Sequence, residues 1–173
     1  MNAVQTALLI GVPVVALAGW VWWRGRGIIF GPNWEDIRAM VRRSFPNVPQ
    51  IEPGSLATNA AGGKVVLVDC RGAREFAFSH IPEAVNCHSV EDVRRVASPA
   101  DPVVIYCVIG YRASMLAERL RRAGFRDVSS LDGAILRWAN EDRPLINSEG
   151  VPMEKVSPWM KGWAKHLLKP GKY

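Results

Sequence analysis

The sequence predicts an α/β domain, a parallel sheet flanked by helices, preceded by an N-terminal transmembrane helix. Two observations predict the sheet. KVVLVDC (64–70) and VVIYCV (103–108) are short, β-branched and nearly continuous in apolar residues, as strands buried on both faces are. Stretches with helical spacing lie between and after them, and strands alternating with helices pair in parallel. A third observation predicts the membrane helix. Residues 3–23, AVQTALLIGVPVVALAGWVWW, carry no charge over the roughly 20 residues a helix needs to cross a bilayer core.

Composition narrows the classes. Of 173 residues, 49% are hydrophobic, which excludes disorder for most of the length. The net charge is +6, but no nucleic-acid motif accompanies it, so an anionic membrane surface suits the basic residues better than nucleic acid. Cys70, Cys87 and Cys107 are widely spaced with no CxxC pair, and His80, His88 and His166 do not complete a zinc pattern. A disulfide scaffold does not fit three such cysteines, and a reducing compartment does.

Taken in order, the elements begin with the span. Gly11, Pro13 and Gly19 are tolerated in a membrane helix, and Trp20, Trp22 and Trp23 suit its interface. Arg24 and Arg26 follow it, so the positive-inside rule places the remainder in the cytoplasm. A cleaved signal peptide is the competing reading, and no Lys or Arg precedes the apolar run to support it. In the juxtamembrane segment 24–46, residues 33–45 form an amphipathic helix capped by Asn33, with Trp34, Ile37, Met40, Val41 and Phe45 on one side. It is expected to pack on the domain rather than to set Arg38, Arg42 and Arg43 against lipid phosphates.

The domain proper covers 47–146. Helical spacing marks 73–80, 89–97 and, most clearly, 112–124, whose apolar stripe is Met115, Leu116, Leu120 and Ala123. A strand over 127–131 and a short helix over 133–141 follow. In the tail, 147–173, the segment WMKGWAKHLLK (159–169) puts Trp159, Met160, Trp163, Leu167 and Leu168 on one side and lysines on the other. It lies on a membrane or closes the domain's core, and both readings stand.

Parallel sheets place chemistry at the C-terminal ends of their strands, and Cys107 falls at such an end. The loop CVIGYR carries the chain from Cys107 into the next helix. Gly110 permits a turn whose amides point inward, and Arg112 adds a charge; both favour thiolate over thiol. A free cysteine is more often a small buried hydrophobe. The close Gly and Arg, followed directly by a helix, favour a nucleophile.

CVIGYR resembles the cysteine loop of the rhodanese family of sulfurtransferases. VVLVDCRGAREFAFSHIPEAVN (65–86) and AGFRDVSSLDGAILRWANEDRPL (123–145) resemble two further motifs of that family, in the right order. The resemblance implies a rhodanese fold and a persulfide on Cys107. Val108, Ile109, Gly110, Tyr111 and Arg112 would bind the anion, with no metal or organic cofactor. Its partners would be a small sulfur donor and a thiol or other nucleophilic acceptor, or a protein persulfide, and not nucleic acid. Glu83 and Ala134 stand where the family commonly has glycine, and Ala113 where it often has serine. Val108 and Ile109 would make an apolar rim and so a weak thiosulfate donor site.

Asp69, Arg71, Glu75 and His80 match the upstream motif and are expected to be structural. Arg71 and Glu75 would pair across one helical turn, Asp69 would brace the loops, and His80 would fix a turn. Cys70, Cys87 and Trp138 are expected to be packing residues; a resolving role for Cys70 toward an oxidised Cys107, suggested by its place near the strand ends, is the weaker alternative. A phosphatase class shares this fold with a loop one residue longer, which makes phosphoryl chemistry the weaker reading. A non-catalytic sulfur carrier or binding module at the membrane is the alternative from another class.

Overall fold

The computed structural model describes residues 33–56, 65–157 and 168–172. The expected membrane span, residues 24–32 and most of the basic segment 159–169 lie outside them. Among the described residues, no helix is long and apolar enough to cross a membrane.

Helix α1 (Trp34–Ser44) starts where the Asn33 side chain accepts the Asp36 amide at 2.9 Å. Glu35 and Asp36 sit in its positive first turn. Ile37 and Val41 are buried, as is Phe45 just beyond the helix, so the helix packs on the domain. Arg38 seals its polar side with an ion pair to Asp132 at 2.6 Å.

Five strands form one sheet, all parallel: β1 (Gln50–Ile51), β2 (Val66–Asp69), β3 (Val85–Asn86), β4 (Val103–Tyr106) and β5 (Val128–Leu131). Their spatial order is β1-β5-β4-β2-β3. Side chains alternate across a strand, so the sheet divides the interior in two. Along β4, Val103 and Ile105 enter one core while Val104 and Tyr106 enter the other. The helices sort accordingly. α3 (Val90–Arg94) and α4 (Tyr111–Arg122) bury Val93, Ala113, Leu116, Ala117 and Leu120 in the first core. α2 (Ala73–Phe78) sets Phe76 against the second, and α5 (Ala134–Asn140) fills it with Ile135, Leu136 and Trp138. Helix α1 reaches both, through Ile37 to one and Val41 to the other.

Some details differ from expectation. Met115 is exposed; the buried stripe of α4 runs through Ala113, Leu116, Ala117 and Leu120 instead. That stripe keeps strict three- and four-residue steps, and Met115 falls one residue outside it. β1 and β3 were not expected, because two residues show no period. An antiparallel pair, β6 (Leu145–Ile146) and β7 (Pro152–Met153), extends the fold into the tail. Val156 and Leu168, on either side of residues 158–167, are both buried in the core shared with α5.

Candidate active site

Cys107 is the residue after the last of β4, and the apolar strand carries it to the sheet's C-terminal edge. The chain then turns through Gly110, at φ +99°, a left-handed conformation that costs glycine little. Gly110 caps α4, and its amide donates to Cys107 Sγ at 3.2 Å. The amides of Ile109 and Ala113 converge on the same sulfur. From the other side of the sheet, the first amides of α5 hold the loop: Ile135 donates to the Cys107 carbonyl at 3.2 Å and Leu136 to that of Val108 at 3.4 Å. Gly133 and Ala134, both at positive φ, aim that helix.

Cys107 is 1% exposed. Burial is the largest influence on its thiol and opposes ionisation. The Cys70 thiol and the amides of Ala113, Gly110 and Ile109 together outweigh it, and bring the pKa down to about 6. The loop therefore holds a thiolate at neutral pH.

Cys70 was expected to be a packing residue. It is buried, but its thiol also hydrogen-bonds to Cys107, and this bond, reinforced by burial, pushes its own ionisation far up. The cause is register. Asn86, Asp69 and Tyr106 stand in one row across β3, β2 and β4. Cys87, Cys70 and Cys107 are the next residues on each strand, so all three thiols reach the same edge and enter the same core. In sequence the three cysteines close the triplets VDC, VNC and IYC. That shared ending was the available signal.

Arg112 lies at the rim, with its side chain half exposed. One Nη2 donates to the Cys70 carbonyl at 2.9 Å, and Nη1 is 4.0 Å from Glu75 Oε2. Its charge is partly paired by these contacts. Tyr111 is exposed on one side and meets Phe45 edge-on, with ring centroids 5.0 Å apart. Val108 and Ile109 do not form the expected apolar rim. Both are buried in the core with Ile37 and α5, because the tight turn directs its amides at the sulfur and its side chains away from solvent. A cavity of about 190 Å³ beside Cys70 is lined instead by His88, Arg112, Arg119, Met115 and Leu116. Its basic residues favour an anion.

The upstream motif forms the turn below. Arg71 is fully buried and binds Asp69 through Nε and Nη2, at 3.0 and 2.7 Å, and the Ser79 carbonyl at 2.6 Å. The expected Arg71–Glu75 pair does not form. Arg71 precedes α2, so helical four-residue spacing does not apply to it. Glu75 instead accepts the Gly72 amide at 3.1 Å. The Asn86 side chain, unremarked in the sequence, donates to the carbonyls of Asp69 and Arg71, both at 2.9 Å. His80 stacks on Phe76, donates from Nδ1 to the Phe76 carbonyl at 2.9 Å, and bridges to Ile146. Among the described residues, no group of three or more His, Cys, Asp or Glu side chains is placed to hold a metal ion.

Comparison with known proteins agrees with this geometry. The family described as Rhodanese-like domain matches residues 52–141. The thiosulfate sulfurtransferase GlpE of Pseudomonas syringae pv. syringae is 34% identical over 96 residues, 54% of this chain and 87% of that protein. A sulfurtransferase of Allochromatium vinosum is 35% identical over 107 residues, 60% of this chain and 99% of that protein. The solution structure of the polysulfide-sulfur transferase homodimer of Wolinella succinogenes superposes with a TM-score of 0.52. It is 19% identical and covers 70% of this chain and 92% of that one, a likeness of fold. The family match spans more than half of the chain and takes in both the Asp69–Arg71 turn and the cysteine loop, so the protein belongs to the rhodanese-like domain family.

Proposed function

We propose that the protein is a membrane-tethered sulfurtransferase that carries sulfane sulfur as a persulfide on Cys107. The observation that carries this is the Gly110 amide 3.2 Å from Cys107 Sγ, in a loop that keeps the thiol ionised near pH 7. Such a thiolate is a nucleophile held inside a ring of donors for an anion. Relatives named as sulfurtransferases support the assignment.

The Cys107 thiolate attacks the outer sulfur of a donor such as thiosulfate. The sulfur–sulfur bond of the donor breaks, sulfite leaves with the electron pair, and Cys107 holds the persulfide. An acceptor thiolate then takes the outer sulfur, and the Cys107 thiolate returns. The amides of Ile109, Gly110 and Ala113 stabilise the negative sulfur in both steps. Arg112, Arg119 and His88, around the neighbouring cavity, draw an anionic donor inward. Four residues between Cys107 and Arg112 make a cup suited to one sulfur rather than to a phosphoryl group.

The tether rests on the uncharged run 3–23, and the cytoplasmic placement of the domain on Arg24 and Arg26 after it. One observation favours a partner-specific carrier as the second reading: Cys107 is 1% exposed, so little of its sulfur meets small acceptors in solvent.

The test is intact-mass analysis of the full chain in detergent after incubation with thiosulfate, beside Cys107→Ser. A gain of one sulfur that requires Cys107 and is removed by cyanide is expected. No gain with thiosulfate or a persulfide donor, from a folded chain, would overturn the assignment. Turnover with small thiol acceptors separates the enzyme from the carrier.

A further inference from the structure

We propose that Cys70 attacks the Cys107 persulfide, closing a Cys70–Cys107 disulfide and releasing hydrosulfide, so that the protein also reduces sulfane sulfur. This activity rests on the persulfide reading above and adds a second exit for the sulfur.

The strand register places the two thiols together. Asp69 and Tyr106 are partners across β2 and β4, and Cys70 and Cys107 follow them directly. The Cys70 amide donates to the Tyr106 carbonyl at 2.9 Å, which continues the ladder one step past both strands. Neighbouring strands lie about 4.8 Å apart, and bridged cysteines have Cα separations of about 4.4–6.8 Å. The strand spacing of this row therefore falls within the Cα range that a disulfide spans. Side chains at one level of adjacent strands share a face, and both cysteines enter the core beneath α4. The thiol of Cys70 is already hydrogen-bonded to Cys107. Cys87 stands at the same level on the far side of Cys70, but its thiol responds to burial, Asp92 and Arg95 rather than to another cysteine.

The chemistry balances without an added oxidant. A bond forms between the Cys70 sulfur and the inner sulfur on Cys107. The bond between that inner sulfur and the outer one breaks, and the outer sulfur leaves with the electron pair. The Cys70 proton passes to it, giving hydrosulfide. The leaving sulfur is reduced, and the two cysteines end as a disulfide. A thiol or dithiol reductant then restores both thiols. Cys70 keeps its proton while Cys107 is an anion, and so holds in place the proton that the leaving sulfur needs.

The full chain in detergent is reduced, freed of small thiols and incubated with thiosulfate. Hydrosulfide is followed with a sulfide electrode, and the chain by intact mass and by peptide mapping after alkylation. The wild type is expected to gain one sulfur, then to lose it together with two hydrogens, releasing hydrosulfide and linking the peptides of Cys70 and Cys107. Cys87→Ser should do the same. Cys70→Ser and Cys70→Ala disturb the hydrogen bond that helps ionise Cys107, so they should gain the sulfur more slowly, but they should keep it and release no hydrosulfide. A persulfide that persists on the wild type, or hydrosulfide release undiminished in the Cys70 variants, would overturn this proposal alone. No sulfur gain in any variant would sink the persulfide reading and this activity with it. Failure of diamide to link Cys70 to Cys107 would refute the geometry whatever the donor does.

Discussion

The amide nitrogen of Gly110 lies 3.2 Å from Cys107 Sγ while Gly110 itself turns the chain at φ +99°. One residue thus bends the loop and supplies a donor to the thiolate. A methyl group added there would meet nothing nearer than the Leu131 carbonyl oxygen at 3.8 Å, so the cost of alanine is conformational rather than steric. Gly110→Ala is expected to lose about 1–2 kcal/mol of stability and to raise the Cys107 pKa as the amide swings away. Denaturant unfolding and the pH dependence of alkylation read the two effects separately. An unchanged alkylation profile would show that the Gly110 amide contributes nothing to the thiolate.

The pH profile itself is the next prediction. Cys107 falls from the ordinary 9.0 to about 6, so iodoacetamide should label it half-maximally near pH 6 and at a plateau above. The consequence for stability has a definite sign. A depressed pKa favours the folded state above the unfolded value, and that contribution is lost as pH falls through the folded value. Wild type should therefore gain stability over Cys107→Ser between about pH 6 and 9, approaching about 4 kcal/mol at full development. Parallel unfolding curves for the two proteins across that range would refute it.

Arg71 and Asp69 form a wholly buried ion pair. Removing one partner leaves a charge in the interior, so Arg71→Ala is expected to cost about 3–5 kcal/mol. Arg71→Lys should rescue little, because one ammonium cannot reproduce the fork to Asp69 and Ser79. Urea unfolding measures both. Full rescue by lysine would mean that charge alone matters there.

Glu83 and Ala134 adopt φ of +65° and +50°, although neither is glycine. Glu83 is exposed, so Glu83→Gly removes strain and sacrifices no packing. It should stabilise by about 1 kcal/mol. Ala134 is buried, and Ala134→Gly also loses a methyl contact of about 0.8 kcal/mol. The two effects nearly cancel there, so its thermal midpoint should barely move while that of Glu83→Gly rises. A lower midpoint for Glu83→Gly would contradict the strain.

Much of the frame was legible before any coordinate. Val66–Asp69 and Val103–Tyr106 are apolar throughout, and burial on both faces of a parallel sheet requires that. Asn33 and the acidic turn behind it announced α1, and Gly110 before a helical stripe announced the turn after Cys107. These signals are local, because capping, glycine angles and period act over a few residues. They survive in the order of the letters. β1, β3, β6 and β7 span two residues each, too few for a period; β1 and β3 form along the edges of the longer β5 and β2, and β6 and β7 along each other.

The cysteine loop at a strand end, its glycine turn and the helix after it are written in CVIGYR. The neighbours of that loop are not. A strand's alternation says which side chains share a face, not which strand lies beside it. Parallel pairing joins segments tens of residues apart, and the packing of the crossover helices sets their order and register. That register brought Cys70 beside Cys107, whereas Arg71 pairs with Asp69 rather than Glu75 through the local turn that precedes α2. Likewise, apolar letters at Val108 and Ile109 do not say whether a turn faces solvent. The seating of α1 and α5 against the loop buried them, and left the basic residues Arg112 and Arg119 at the opening.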